Sequence, residues 1–181
     1  MKKIALSFCL FLSLINSTLA ETPTNIRIEP LSLLVGTLAV QADFGISPHW
    51  TLGPSVRYLK RTIGDFDATA YSAGIRGNYY FDREVMTQGW YLSPELSLMR
   101  VSVVENDNNG PDAEASATGF AITGLGGYQW MWENFNIMLG IGPVFYGLGD
   151  IETKDSSGNK ETFSGFSTVG LALDFSLGWK F

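Results

Sequence analysis

The chain has 181 residues, with 12 basic against 18 acidic side chains, a formal charge of −6, one histidine and one cysteine. That acidic balance argues against a nucleic-acid partner, which would need a basic surface to hold phosphates. A single cysteine excludes an internal disulfide framework.

Met1-Lys2-Lys3 is a short basic start, and Ile4 to Ile15 is an apolar run too short to cross a bilayer. Small residues in Ser17-Thr18-Leu19-Ala20 stand at the usual cleavage spacing before Glu21. Residues 1–20 are therefore expected to be a secretory signal peptide. A short N-terminal anchor is the alternative. Cys9 follows Phe8 inside the apolar run and does not match a lipoprotein acylation site. Residues 21–181 are expected to form one domain, with a charge of −8 from ten basic and 18 acidic residues. No apolar run in them suits a membrane helix, so any membrane span has to be a closed barrel of strands.

Ile26, Ile28, Pro30, Leu34, Leu38, Val40, Ala42, Phe44 and Ile46 share one parity. A single strand over that stretch would run roughly 70 Å at about 3.3 Å per residue, more than twice a bilayer core. The expectation is two strands, 24–34 and 38–46, joined by a three-residue loop at Val35-Gly36-Thr37. Strict alternation follows in the segments around Trp50–Leu59, Tyr71–Phe81, Trp90–Met99 and Phe135–Tyr146. It is diluted by glycine between Phe120 and Trp130. In the last segment Leu171, Leu173, Phe175, Leu177, Trp179 and Phe181 alternate with Ala172, Asp174, Ser176, Gly178 and Lys180. One face of that strand is wholly apolar and the other small or polar, as lipid outside and a wet lumen inside would require.

Six more strands are predicted at 49–63, 68–81, 89–105, 116–132, 134–148 and 165–181. The predicted fold is all-β: an eight-stranded antiparallel up-and-down transmembrane β-barrel. Ser47-Pro48, Asp82 to Gln88 and Glu133-Asn134 are the compact connections. Gly64 to Asp67, Asn106 to Ala115 and Gly149 to Ser164 are read as loops, the last two long and polar. Short connections belong to the periplasmic side and long ones to the outside. Trp50, Trp90, Trp130, Trp132, Trp179 and Phe181 then fall at strand ends on the periplasmic side, as an interfacial aromatic girdle. Phe66, Tyr71, Phe145 and Phe163 are a thinner outer set.

The signal-like start, the eight alternating segments and the closing strand with Leu177, Trp179 and Phe181 resemble the small outer-membrane β-barrel proteins of Gram-negative bacteria. The OmpA transmembrane domain and OmpX belong to that family. Pro30 to Gly36 also resembles the opening of a group of barrel proteins whose fold is better established than their function. The resemblance implies a place in the bacterial outer membrane, reached through the periplasm. It also implies delivery to the barrel-assembly machinery through the terminal aromatic strand. Outer-membrane lipids and lipopolysaccharide would be its surroundings, with the chain a monomer and without a cofactor.

Arg27, Glu29, Gln41, Asp43, Arg57, Arg76, Glu95, Gln129, Asp174 and Lys180 fall on the lumen parity. Charges in a narrow lumen need partners. The expected arrangement is an Arg57–Arg76–Glu95 cluster closed by Asp43, with Glu29 and Asp174 in the same polar interior. A structural polar core is one role for it; exchange of pairs to gate a small ion path is another. An eight-stranded interior is just wide enough for side chains, which argues against a standing pore. Catalytic signals are weak. His49 could serve a Ser/His/acid lipid A-modifying set, but it is assigned to the rim opposite such a substrate. The acidic stretch Glu105 to Glu114 lacks calcium-loop spacing and is read as a solvated loop with no metal site, a weak divalent-ion or lipopolysaccharide-bridging site being the alternative. The expected function is an integral outer-membrane barrel without enzymatic activity, structural or interacting through its external loops. The alternative is a narrow gated channel or small-ligand transporter. A secreted soluble barrel with the polar parity outside is a third reading.

Overall fold

The computed structural model describes residues 22–81, 84–107, 110–155 and 160–181. The expected signal peptide lies outside them, as do the tips of the two long polar connections. Nine antiparallel strands and one short helix follow in order: β1 (Thr24–Ile28), α1 (Pro30–Leu34), β2 (Thr37–Gly45), β3 (Trp50–Ile63), β4 (Phe66–Tyr80), β5 (Gly89–Asp107), β6 (Gly110–Trp132), β7 (Phe135–Asp155), β8 (Lys160–Phe163) and β9 (Ser167–Lys180).

Eight of these strands close into a ring. Neighbouring strands run β6-β5-β4-β3-β2-β1-β9-β7, and β6 pairs with β7 to complete the circuit. β8 pairs only with β7, as the return arm of a hairpin standing beyond the ring. The all-β, antiparallel, barrel-like closure follows from the two-residue period. Along β5, Trp90, Leu92, Pro94, Leu96 and Leu98 are exposed, while Tyr91, Ser93, Glu95 and Ser97 are buried. The pattern inverts that of a soluble protein: apolar side chains line the outside, and most of the buried set is polar or charged.

The ring has two unlike ends. At one, the turn end, lie Thr24, Phe181, the Ser47–His49 turn and the Glu133-Asn134 turn, where Glu133 takes a φ of 51°. At the other, the hairpin end, β5–β6 and β7–β8 rise as long two-stranded arms.

Three expectations are corrected here. The strand expected over 24–34 stops at Ile28, and Pro30–Leu34 is a helical turn. Pro30 has no N–H to give a ladder and its fixed φ suits the first helical turn. The Glu29 N–H is already taken by the Ala39 carbonyl. Gly36 ends the turn at a φ of 82°, and a Cβ there would meet the Lys60 carbonyl at 2.8 Å. The connection between the first two strands is therefore residues 29–36, not a three-residue loop. Second, the long polar connections are largely paired strand: Glu105 faces Ala113, Asn106 faces Pro111 and Glu152 faces Thr162. A ladder in water needs no apolar face, and valine and threonine on these arms favour extended backbone. Third, β4 starts at Phe66, so only Gly64 and Asp65 separate it from β3.

Candidate functional site

The inward residues of the eight strands meet in a polar interior arranged in tiers from the turn end upward. Asp43 on β2 is the hub of the lowest tier and is fully buried. Arg27 of β1 pairs with it at 2.8 Å. Gln41 donates to it at 2.7 Å, Asn78 at 2.9 Å and Asn25 at 3.3 Å. Asn136 of β7 donates to Asn25 at 2.8 Å, and Asn78 donates to Thr51 at 2.9 Å. Beside this network Tyr80 donates to Gln129 at 3.1 Å, and Tyr80, Tyr91 and Met138 pack together. Small inward residues make room for the large ones. A Cβ on Gly178 would lie 2.7 Å from Arg27 Cγ, and one on Gly140 would strike the Tyr91 hydroxyl.

The middle tier is an Arg76–Asp174 ion pair, with Arg76 Nε also donating to Ser93 at 2.6 Å. β4 and β9 stand four strands apart in a ring of eight, so this pair spans the full diameter. In the upper tier Arg57 of β3 donates to both oxygens of Glu95 on β5, at 2.5 and 3.1 Å. It also pairs with Glu29 at 3.2 Å. Ser55 donates to Glu95 at 2.7 Å. Above the middle tier the interior opens into a cavity of about 270 Å³, walled by these charges and by Met99, Leu125, Val144 and Leu173.

The expected cluster is thus distributed rather than gathered. Arg57 meets Glu95. Arg76 sits directly opposite Glu95 in register yet reaches across to Asp174. Asp43 does not close that group; it belongs to Arg27 and the asparagines below. Sequence reasoning put Arg27 on the inner face but missed its partner. The signal was available: once β1 and β2 pair, Arg27 faces Gln41, with Asp43 two residues along the same face. Arg27 Nε and Nη1, the Tyr91 hydroxyl, Asp174 Oδ1 and the Ser176 hydroxyl have no hydrogen-bond partner among the described residues.

Outside, the six aromatic residues of the expected girdle all lie at or near the turn end and are substantially exposed, Trp90 at 64% and Phe181 at 72%. Their rings form chains across neighbouring strands. Trp50 contacts Tyr79 at 5.1 Å and Tyr79 contacts Phe81 at 5.3 Å. Trp90 contacts Tyr128 at 5.2 Å and Tyr128 contacts Trp130 at 5.0 Å. His49 is at the same end, its Nδ1 3.1 Å from the Tyr80 carbonyl. Nearer the hairpin end Tyr58 meets Tyr71 at 5.2 Å and Phe120 meets Phe145 at 5.9 Å. Neither a protein-family model nor a curated protein matches this chain.

Proposed function

We propose that this protein is an integral outer-membrane β-barrel without enzymatic activity, structural or interacting through its projecting hairpins. One observation carries the reading: an apolar exterior encloses an interior that is charged, hydrogen-bonded and buried. In water that distribution exposes dozens of large apolar side chains to no purpose; in lipid it is the favourable one. The two aromatic sets support it dimensionally. From Phe120 to Trp130 is roughly 33 Å along the strand at about 3.3 Å per residue. At a tilt of about 40° that is about 25 Å along the ring axis, the height of an outer-membrane apolar band. Ring closure supports it too, since pairing the first strand with the last removes most of the edge that an open sheet would show to lipid.

In this setting the turn end faces the periplasm and the hairpins face outward, among lipopolysaccharide. The likeness to the small outer-membrane barrels extends to assembly: the β9 aromatics are the segment offered to the barrel-assembly machinery, and the product is a monomer. The test is refolding into phospholipid vesicles. Co-flotation with the vesicles, resistance to carbonate extraction and a heat-dependent gel shift are expected. A chain that stays monomeric in buffer without detergent and does not float defeats the proposal.

A further inference from the structure

Outward side chains on β3, β4 and β5 form three successive rows toward the hairpin end, and their chemistry changes row by row. Val56, Ala73 and Leu98 are register neighbours and wholly apolar. The next row up is Tyr58, Tyr71 and Arg100, and above it stand Lys60, Thr69 and Ser102. Ala73 is the small member between Val56 and Leu98, and the lower two rows enclose a groove of about 510 Å³ with Arg100 at its upper end. Val56 and Leu98 on its flanks are 52% and 68% exposed, so the groove faces outward. Arg100 and Lys60 are both exposed. The four ion pairs among the described residues all lie in the interior, so neither cation has a carboxylate partner there. The carboxylates Asp67 and Glu114 stand one row above Lys60 and are engaged by hydroxyls, Asp67 by Thr62 at 2.6 Å and Glu114 by Ser102 at 3.3 Å.

We propose that this groove holds one molecule of lipid A, the phosphorylated and acylated disaccharide of the outer leaflet, with an acyl chain along Ala73 and its phosphate on Arg100 and Lys60. The inference rests on the bilayer setting and the outward hairpins proposed above. Position selects the leaflet: the groove ends at the Tyr58–Tyr71 ring pair, in the outer aromatic set, where headgroups meet water. Charge selects the head. An unpaired guanidinium and an unpaired ammonium at that level call for an anion, and the planar fork of arginine matches two phosphate oxygens at once. The Cα atoms of Arg100 and Lys60 are two strands and one row apart, about 12 Å by strand spacing and rise. That lies within the combined reach of two long side chains, so one headgroup meets both. Shape selects the chain. A neutral detergent tail would fill the groove and leave both cations unanswered, whereas a phosphorylated lipid satisfies groove and cations together. Asp67 and Glu114 repel an anion from the rows above and so bound the head from that side.

The experiment titrates the refolded protein in neutral detergent micelles with diphosphoryl lipid A and counts retained adducts by native mass spectrometry. A single saturating adduct per chain is expected, and dephosphorylated lipid A should not compete for it. Lys60→Gln with Arg100→Gln should weaken retention about tenfold, each exposed charge contact being worth roughly two- to fivefold. Arg61→Gln removes the same charge one residue along β3, on the opposite face, and should change retention less than about twofold. Ala73→Leu keeps both cations but fills the groove, and should weaken retention about fivefold, the worth of a displaced methylene or more. The heat-dependent gel shift should persist in all three, since none of them touches the buried interior. Equal retention of the dephosphorylated lipid, a loss in Arg61→Gln as large as in the double variant, or full retention in Ala73→Leu would overturn the site. Displacement of the adduct by inorganic phosphate would overturn it too, by showing a simple anion site in place of a lipid groove. Co-flotation with vesicles is read separately: flotation without an adduct overturns the site alone, and failure to float overturns the membrane reading beneath it as well.

Discussion

Asp43 accepts from Arg27, Gln41, Asn25 and Asn78, so four donors from three strands lose their anchor if its charge goes. Arg27 is the most sensitive of them, because its side chain is 1% exposed and two of its nitrogens have no other partner among the described residues. Breaking a buried pair by removing one member costs about 3–5 kcal/mol. Asp43→Asn should lower the stability of the folded form by about that much, read from the urea midpoint in vesicles. Adding Arg27→Met should recover most of the loss, since the stranded charge goes with it. Gly178 tests the same tier sterically. A methyl there would stand 2.5 Å from Asn136 Oδ1 and 2.7 Å from Arg27 Cγ, so Gly178→Ala should cost about 1–3 kcal/mol through overpacking. The same midpoint shift measures it. A loss below about 0.5 kcal/mol would mean that the tier has slack.

The elements differ in how openly they stand in the sequence. β3, β5 and β9 were legible because each alternates without interruption and each has one face buried, so register and facing are fixed together. The hairpin arms were not. Their outer parts, beyond Glu105 and Ser116, read as loop from the sequence: no described residue there is buried, alternation carries no information, and pairing is decided by backbone and turn alone. α1 was hidden for another reason: Ile28, Pro30 and Leu34 keep strand parity through a segment that is not a strand, and only Pro30 and Gly36 mark the change. Among the site residues, face was readable and so was the meeting of Arg57 with Glu95, but the reach of Arg76 to Asp174 was not, since it depends on ring closure across residues far apart in sequence. Two outcomes belong at this scale. Gly36→Ala forces an L-residue to φ 82° against the Lys60 carbonyl, and should cost about 1–2 kcal/mol of stability in the vesicle assay. Joining Val103 to Ala115, which are register partners, through a two-residue Asn-Gly turn removes the tip of the β5–β6 arm. Its urea midpoint should stay within about 0.5 kcal/mol of the parent, because the arm adds nothing to the buried interior. Surface interactions carried by the hairpins would be lost in the same variant.

At the scale of the whole molecule, conduction is decided by whether any path runs the length of the interior. An eight-stranded ring leaves space for side chains and little else. Here that space is filled in the lower tiers, where Asn25, Arg27, Asp43, Asn78, Gln129, Asn136 and Met138 are all at most 1% exposed. The upper cavity therefore ends on a floor made by the Arg76–Asp174 strut and the packed tier beneath it. A gate that works by exchanging pairs would need Arg76 to leave Asp174 for Glu95. Glu95 faces Arg76 in register but is already held by three bonds from Arg57 and Ser55, so the exchange gives up the Arg76–Asp174 pair and must displace those bonds to make one. The native protein should give no stepwise current in planar bilayers at any voltage. Arg76→Ser with Asp174→Ser removes the strut without leaving a lone charge and deepens the cavity by two large side chains. It should still not conduct, because the Asp43 tier remains below. Adding Arg27→Ser and Asp43→Ser to that variant opens both tiers along one side of the ring, and small, brief currents are expected only then. Currents from the native chain, or from the strut variant alone, would show that the lower tier is not a seal. The narrow-channel reading would then replace the plugged one.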